Sequence, residues 1–227
     1  MRLAKPVVLG MRKQARRALC RVPQLQTAQF LSIHKPGSIL VDLRAAALFT
    51  RGFIPGSYHL TGLHSVGFLR QNVRPEQGTV YLIGKCEGPR RVVRNFARHR
   101  LEIAGWFHPE VLHLWQAARG ALATIEELDP EPLTVRLAAW KTVVLDLREP
   151  DAFRLARVPD ALNLSLCNLR ASIAGLPHES ALTIVCDTGD KSSFAASLLW
   201  NLSYRNVAIL RGGFRRYLEA GMPVIRG

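Results

Sequence analysis

The segment "ILVDLRAAALFTRGFIPGSYHL" (residues 39–60) returns 104 residues later as "VVLDLREPDAFRLARVPDALNL" (residues 143–164). Asp42-Leu43-Arg44 reappears as Asp146-Leu147-Arg148, and Ile54-Pro55 as Val158-Pro159. Further along, "TVYLIG" (79–84) matches "LTIVC" (182–186) and Trp115 matches Tyr217, both at an offset of about 102 residues. Stacked solenoid units repeat every 20–50 residues or so, so a period this long means two copies of one domain. The chain has 227 residues, and two domains of about 110 residues each are of ordinary size. The seam falls at "ATIEELDPEP" (123–132), which is acidic and carries two prolines. The expected layout is a basic N-terminal extension over 1–23, a first copy over 24–122 and a second over 123–227.

Each copy alternates strand and helix patterns. "TVVLDL" (142–147), "LTIVC" (182–186) and "VAIL" (207–210) are short apolar runs of the kind found in buried parallel strands. "SSFAASLLWNL" (192–202) spaces Phe194, Ala195, Leu198, Leu199 and Leu202 along one helical face. "GGFRRYLEAG" (212–221) reads as a turn, a short helix and a glycine stop. The expected fold class is α/β: two tandem domains, each a mainly parallel central sheet flanked by helices.

Charge divides the chain. Residues 1–100 hold 18 Lys and Arg against 3 Asp and Glu, a net of +15; residues 101–227 hold 13 against 14, a net of −1. A half this basic attracts an anionic partner, whether nucleic acid, an acidic protein or an acidic lipid surface; a solvated Arg-rich surface gives the same composition. The first 22 residues carry seven basic residues and no acid. That start suits an organelle-targeting segment or a basic surface helix, with a cytoplasmic protein the simpler expectation. No apolar run reaches the roughly 18 residues that a membrane span needs. Cys20, Cys86, Cys167 and Cys186 are widely and irregularly spaced, which argues against a disulfide framework or a zinc site and for reduced thiols. No metal and no cofactor is expected.

Cys186 ends a strand pattern and begins the loop Asp187-Thr188-Gly189-Asp190-Lys191, which runs into a helix at Ser192. Ligands of open α/β sheets bind at the carboxyl ends of strands. Gly189 permits the tight curl required. The amides of such a loop, with the helix start behind them, form a nest for an anion, and a sulfur at its centre should ionise more readily than a free thiol. Cys186 is the candidate nucleophile, with Asp187, Thr188, Gly189, Asp190, Lys191 and Ser192 around the substrate.

Cys-x-x-Gly-x-Lys-Ser over 186–192 resembles the active-site loop of rhodanese-like sulfurtransferases, where Arg commonly stands in place of Lys191. "VVLDLRE" (143–149), "ARVPDALNL" (156–164) and "VAILRGGFRRYLEAGMPV" (207–224) resemble further marks of that family, in the family's order. The resemblance is strong over 128–227 and weak over 24–120. It implies that Cys186 takes a sulfane sulfur from thiosulfate or a persulfide donor. The Cys186 persulfide then passes the sulfur to a thiol, cyanide or a protein acceptor. It also implies that the amides of 187–192 hold the persulfide and that Ser192 caps the helix, with Lys191 supplying positive charge and Asp146 and Arg148 forming a structural pair. Two features depart from the family pattern. Ala156, Arg157 and Asp160 replace Gly, His and Gly, and the carboxylates of Asp187 and Asp190 oppose a dianionic donor. A less charged persulfide donor is the better expected substrate. The related Cys-x5-Arg phosphatase loop is disfavoured, because position 192 is Ser and a phosphate-holding guanidinium fork is missing.

In the first copy the loop reads "IGKCEGPRRVVRNF" (83–96), and Gly84 stands at the nucleophile position. Cys86 lies two residues later and Pro89 stiffens the loop, so this copy is expected to be inactive. A degenerate N-terminal copy beside an active C-terminal one is a known arrangement in the resembled family. Arg90, Arg91, Arg94 and Arg98 crowd one side of the following helix, either as an anion dock or as a solvated face over Val92, Val93 and Phe96. Cys167 reads as a core thiol, Trp140 and Trp200 as packing residues, and the histidines, His108 and His113 included, show no ligand spacing. The alternative to an enzyme is a regulatory module that docks its anionic partner through the basic half.

Overall fold

A computed structural model describes residues 22–33, 38–62, 65–73, 79–84 and 89–227. Most of the extension 1–23, and with it Cys20, lies outside the described residues, as does Cys86. The first half opens with the short helix α1 (Phe30–Ile33) and builds a sheet from β1 (Ile39–Asp42), β2 (Ser57–His59), β3 (Thr79–Ile83) and β4 (Glu102–Phe107). Helices α2 (Ala46–Arg51), α3 (Val66–Asn72), α4 (Pro89–Arg98) and α5 (Val111–Arg119) connect and follow these strands. The second half contains β5 (Glu126–Leu128), β6 (Val143–Asp146), β7 (Leu162–Asn163), β8 (Leu182–Val185) and β9 (Val207–Leu210). Its helices are α6 (Pro130–Ala138), α7 (Pro150–Leu155), α8 (Leu169–Ser172), α9 (Ser192–Asn201) and α10 (Gly213–Glu219).

The sheet orders are β2-β1-β3-β4 and β5-β9-β8-β6-β7, and every strand pairing within them is parallel. Without the edge strand β5, the second order is the first one repeated. The α/β expectation of two parallel sheets flanked by helices therefore holds, and the repeat extends to single hydrogen bonds. The Arg44 guanidinium forks onto the Asp42 carboxylate and also donates to the Gly52 carbonyl at 2.7 Å. Arg148 does the same to Asp146 and to the Ala156 carbonyl, also at 2.7 Å. Both aspartates are fully buried, where a carboxylate survives only when paired and hydrogen-bonded. The Asp146–Arg148 pair forms as the resemblance implies, and Asp42–Arg44 repeats it in the first half.

The connection between the halves belongs to both. Ala123 and Phe53 exchange backbone bonds at 2.9 Å, and the Ile125 amide donates to the Thr50 carbonyl. The chain then enters the second sheet as β5, where Glu127 accepts from the Thr50 hydroxyl at 2.6 Å.

One apolar core runs through both halves, joining Val41, Phe49, Phe53 and Leu60 to Leu145, Ile184, Phe194 and Leu198. Helix α9 lies at its centre. The sequence pattern suggested one apolar face, but Ser192 through Leu199 are all buried, Ser193 and Ser197 included. The second sheet covers one side of the helix and the edge strand β2 covers the other. Two expectations about packing need correction. Trp140 is 84% exposed, just beyond α6 in a left-handed conformation, whereas Trp200 does pack, edge-on against Phe53. Cys167 is half-exposed in the turn Leu166–Asn168 rather than in the core.

Candidate active site

The strand β8 delivers Cys186 to its carboxyl end, and the next six residues turn the chain into α9. Gly189 adopts φ +96°, a conformation that a side chain resists, and its amide donates to the Cys186 sulfur at 3.1 Å. The Ser192 hydroxyl donates to the same sulfur at 3.2 Å. Two donors thus converge on one sulfur, in a residue only 2% exposed. Ser192 does not cap the helix. Lys191 holds the cap position with no side-chain bond, and Ser192, the first helical residue, turns its hydroxyl to Cys186 instead.

The other loop residues take different places. Asp187 and Asp190 are exposed at the rim, and Asp190 accepts from the Thr188 hydroxyl at 2.9 Å. Lys191 is half-buried, its ammonium 5.9 Å from the centre of the Phe68 ring. The loop therefore presents two carboxylates and one ammonium close to the donor pair.

A second segment fixes the base of the loop. Gly212 and Gly213 have φ +73° and +66°, and the turn they make points the first amides of α10 at the loop. Phe214 donates to the Cys186 carbonyl at 2.7 Å and Arg215 to the Asp187 carbonyl at 3.1 Å. A Cβ on Gly213 would stand 2.3 Å from the Cys186 carbonyl oxygen, so no other residue fits there. The Phe214 ring in turn carries the Arg148 guanidinium at 3.5 Å, which links the buried ion pair to the same turn.

The first half has no cysteine at the equivalent place. Leu43 donates to Ile83 just as Leu147 donates to Val185, so the residue after each acceptor is the same position in the two copies. That residue is Cys186 in one copy and Gly84, with φ +113°, in the other. What the first half brings to the site was not read from the sequence. His59, at the end of β2, reaches Ser193 with Nδ1 at 2.7 Å, and Thr61 donates to the Asp190 carbonyl at 2.9 Å. The repeat alignment alone placed His59 opposite Asn163, but nothing in the sequence said that β2 lies against α9. Among the described residues no group of three or more His, Cys, Asp or Glu side chains is placed to hold a metal ion.

The architecture is a parallel α/β domain with a cysteine held beneath a strand–loop–helix turn, and the comparisons give the family. The rhodanese-like domain model matches residues 129–220. A sulfurtransferase of Allochromatium vinosum is 31% identical over 102 residues, which cover 44% of this chain and 95% of that protein. Among solved structures, a rhodanese-related protein from Thermoplasma volcanium shows 24% identity over 44% of this chain and 97% of its own, with a TM-score of 0.41. A thiosulfate sulfurtransferase from Pseudomonas aeruginosa shows 21% identity over 96% of this chain and 43% of its own, with a TM-score of 0.43. The chain belongs to the rhodanese-like sulfurtransferase family. No helix among the described residues is long and apolar enough to cross a membrane.

Proposed function

We propose that this protein is a sulfurtransferase that carries a sulfane sulfur on Cys186. The observation that carries the reading is the convergence of the Gly189 amide and the Ser192 hydroxyl on the Cys186 sulfur. Both groups donate, so they favour a sulfur bearing negative charge before and after transfer. In the first step the Cys186 thiolate attacks the outer sulfur of thiosulfate. A new sulfur–sulfur bond forms, the sulfur–sulfur bond of the donor breaks, and sulfite leaves with the electron pair. In the second step a thiolate or cyanide attacks the outer sulfur of the persulfide, and Cys186 departs as a thiolate again. A persulfide donor enters by the same route with a thiolate as leaving group. The exposed carboxylates of Asp187 and Asp190 favour that less charged donor, and the burial of Cys186 favours a slender one. The test is intact mass after incubation with thiosulfate or a small persulfide. The wild-type chain gains one sulfur, Cys186→Ser gains none, and Cys86→Ser and Cys167→Ser still gain it. Sulfur uptake by the Cys186→Ser chain overturns the assignment.

A second role is favoured by a separate observation. Arg91, Arg94 and Arg98 stand exposed along α4 while Val92 and Phe96 bury the opposite side, and none of the three arginines forms an ion pair among the described residues. This face suits an anionic partner.

A further inference from the structure

We propose that His59, contributed by the half of the molecule that lacks the nucleophile, is a positioning residue for chemistry at Cys186. This rests on Cys186 as the sulfur-carrying residue. In the repeat, His59 takes the place that Asn163 holds in the second half, 104 residues on. Asn163 uses its side-chain amide to donate to the carbonyls of Asp146 and Arg148, at 3.0 and 2.9 Å, and so closes the strand end. His59 makes the corresponding bond with Nε2, to the Arg44 carbonyl at 2.8 Å. A carbonyl oxygen only accepts, so Nε2 carries the proton. The ring is completely buried and Phe49 stacks on it at 4.5 Å, which disfavours charge. In the neutral ring Nδ1 is therefore a lone pair, and the Ser193 hydroxyl donates to it. The imidazole does the work of Asn163 with one nitrogen and reaches across to the other half with the second.

The place it reaches is the first turn of α9. Ser193 follows Ser192, whose hydroxyl donates to the Cys186 sulfur. The His59 amide also donates to the Ser197 hydroxyl at 3.1 Å, one turn further along the same helix. Two residues beyond His59, Thr61 holds the Asp190 carbonyl. The helix has no side-chain cap of its own, and the bonds from His59 and Thr61 hold its start from the side away from its own sheet. Displacement of that turn by a fraction of an ångström lengthens the bond from Ser192 to sulfur, and misplacements of about 1 Å reduce rates by about a hundredfold.

The test uses the full chain and two variants that cut the bridge from opposite ends. His59→Asn keeps a donor for the Arg44 carbonyl, as Asn163 does for Arg148, and removes the arm to Ser193. Ser193→Ala removes the other end. With thiosulfate and cyanide, kcat falls about tenfold in each while KM changes by less than about twofold, and the double variant is no slower than either single one. Alkylation of Cys186 by iodoacetamide, measured in parallel, slows by about fivefold in each, the effect of one weakened hydrogen bond. Alkylation needs no sulfur donor. Slowed alkylation in a chain that takes up no sulfur therefore sinks the sulfurtransferase reading and leaves the positioning role standing. Unchanged kcat and unchanged alkylation in the variants, whatever their thermal midpoints, overturn the positioning role, as do losses that multiply in the double variant. Should His59→Asn fail to fold, Ser193→Ala decides by the same criteria.

Discussion

The Phe214 amide donates to the Cys186 carbonyl at 2.7 Å, which fastens the last helix among the described residues to the proposed nucleophile. The contact exists because Gly213 holds a left-handed conformation with its missing Cβ aimed at that carbonyl. Gly213→Ala places a methyl group 2.3 Å from the oxygen and 2.7 Å from the Asp187 carbonyl carbon, both rigid backbone atoms. The loop must retreat or the turn must unwind. The expected loss is on the order of 3 kcal/mol of stability, from left-handed strain together with the clash. Denaturant unfolding reads it, and sulfur transfer falls further than stability alone accounts for. A variant with wild-type unfolding and activity means that this turn does not hold the loop.

Asp187 and Asp190 stand exposed at the rim of the loop, so their effect on an arriving anion is long-range and screened. Asp187→Ala and Asp190→Arg each raise kcat/KM for thiosulfate about threefold at low salt. The gain shrinks at 1 M salt, where the screening length falls to about 3 Å. With a neutral persulfide donor the same variants change little. Equal gains with both donors rule out charge as the reason.

Burial lowers the pKa of His59 from its ordinary 6.5; the Arg44 carbonyl and the Asp42 charge act the other way, and the Arg44 charge adds to the lowering. The unfolded chain therefore takes up this proton at a higher pH than the folded one. The stability tied to neutral His59 is complete above 6.5 and is lost as pH falls through that value toward the lower folded pKa. One such group gives a slope of at most about 1.4 kcal/mol per pH unit. His59→Asn removes that component, so urea midpoints compared at about pH 7.5 and about pH 5.5 differ less in the variant than in the wild type. Identical pH dependence in the two proteins contradicts this account.

The exposed arginines of α4 lead to a binding prediction. Because one core and the β2–α9 contact join the two halves, the measurement belongs on the intact chain rather than on separated domains. Retention on heparin falls steeply with salt, and replacing Arg91, Arg94 and Arg98 together by Glu shifts elution to much lower salt. The sulfur-transfer rate with thiosulfate stays at the wild-type level. Unaltered elution of the triple variant means that these arginines form only a solvated face.

The repeat, the α/β class and Cys186 were all legible in the chain, because each depends on local pattern. Parallel strands buried on both faces leave short apolar runs, and Gly189 marks a turn that few other residues allow. Asp42 with Arg44 and Asp146 with Arg148 could be matched as pairs because each lies two residues from its partner. The glycines of the 212–213 turn were visible as a motif, but their reason was not. That reason, for Gly213, is a carbonyl 27 residues away in sequence, at Cys186, which approaches only when the sheet forms.

The amino-acid sequence determined two copies, one candidate nucleophile and the loop that presents it. The tertiary structure decided where the other copy meets that loop and its helix. Ser193 and Ser197 fall outside the apolar face read from the sequence and are buried because β2 lies against them. His59 looked like an isolated histidine and instead bridges Arg44 to Ser193, which stands 134 residues beyond it in the chain. Hydrophobic periodicity reports which side of a helix faces its own sheet. It cannot report that a second domain will cover the other side, because that depends on how two finished surfaces fit together.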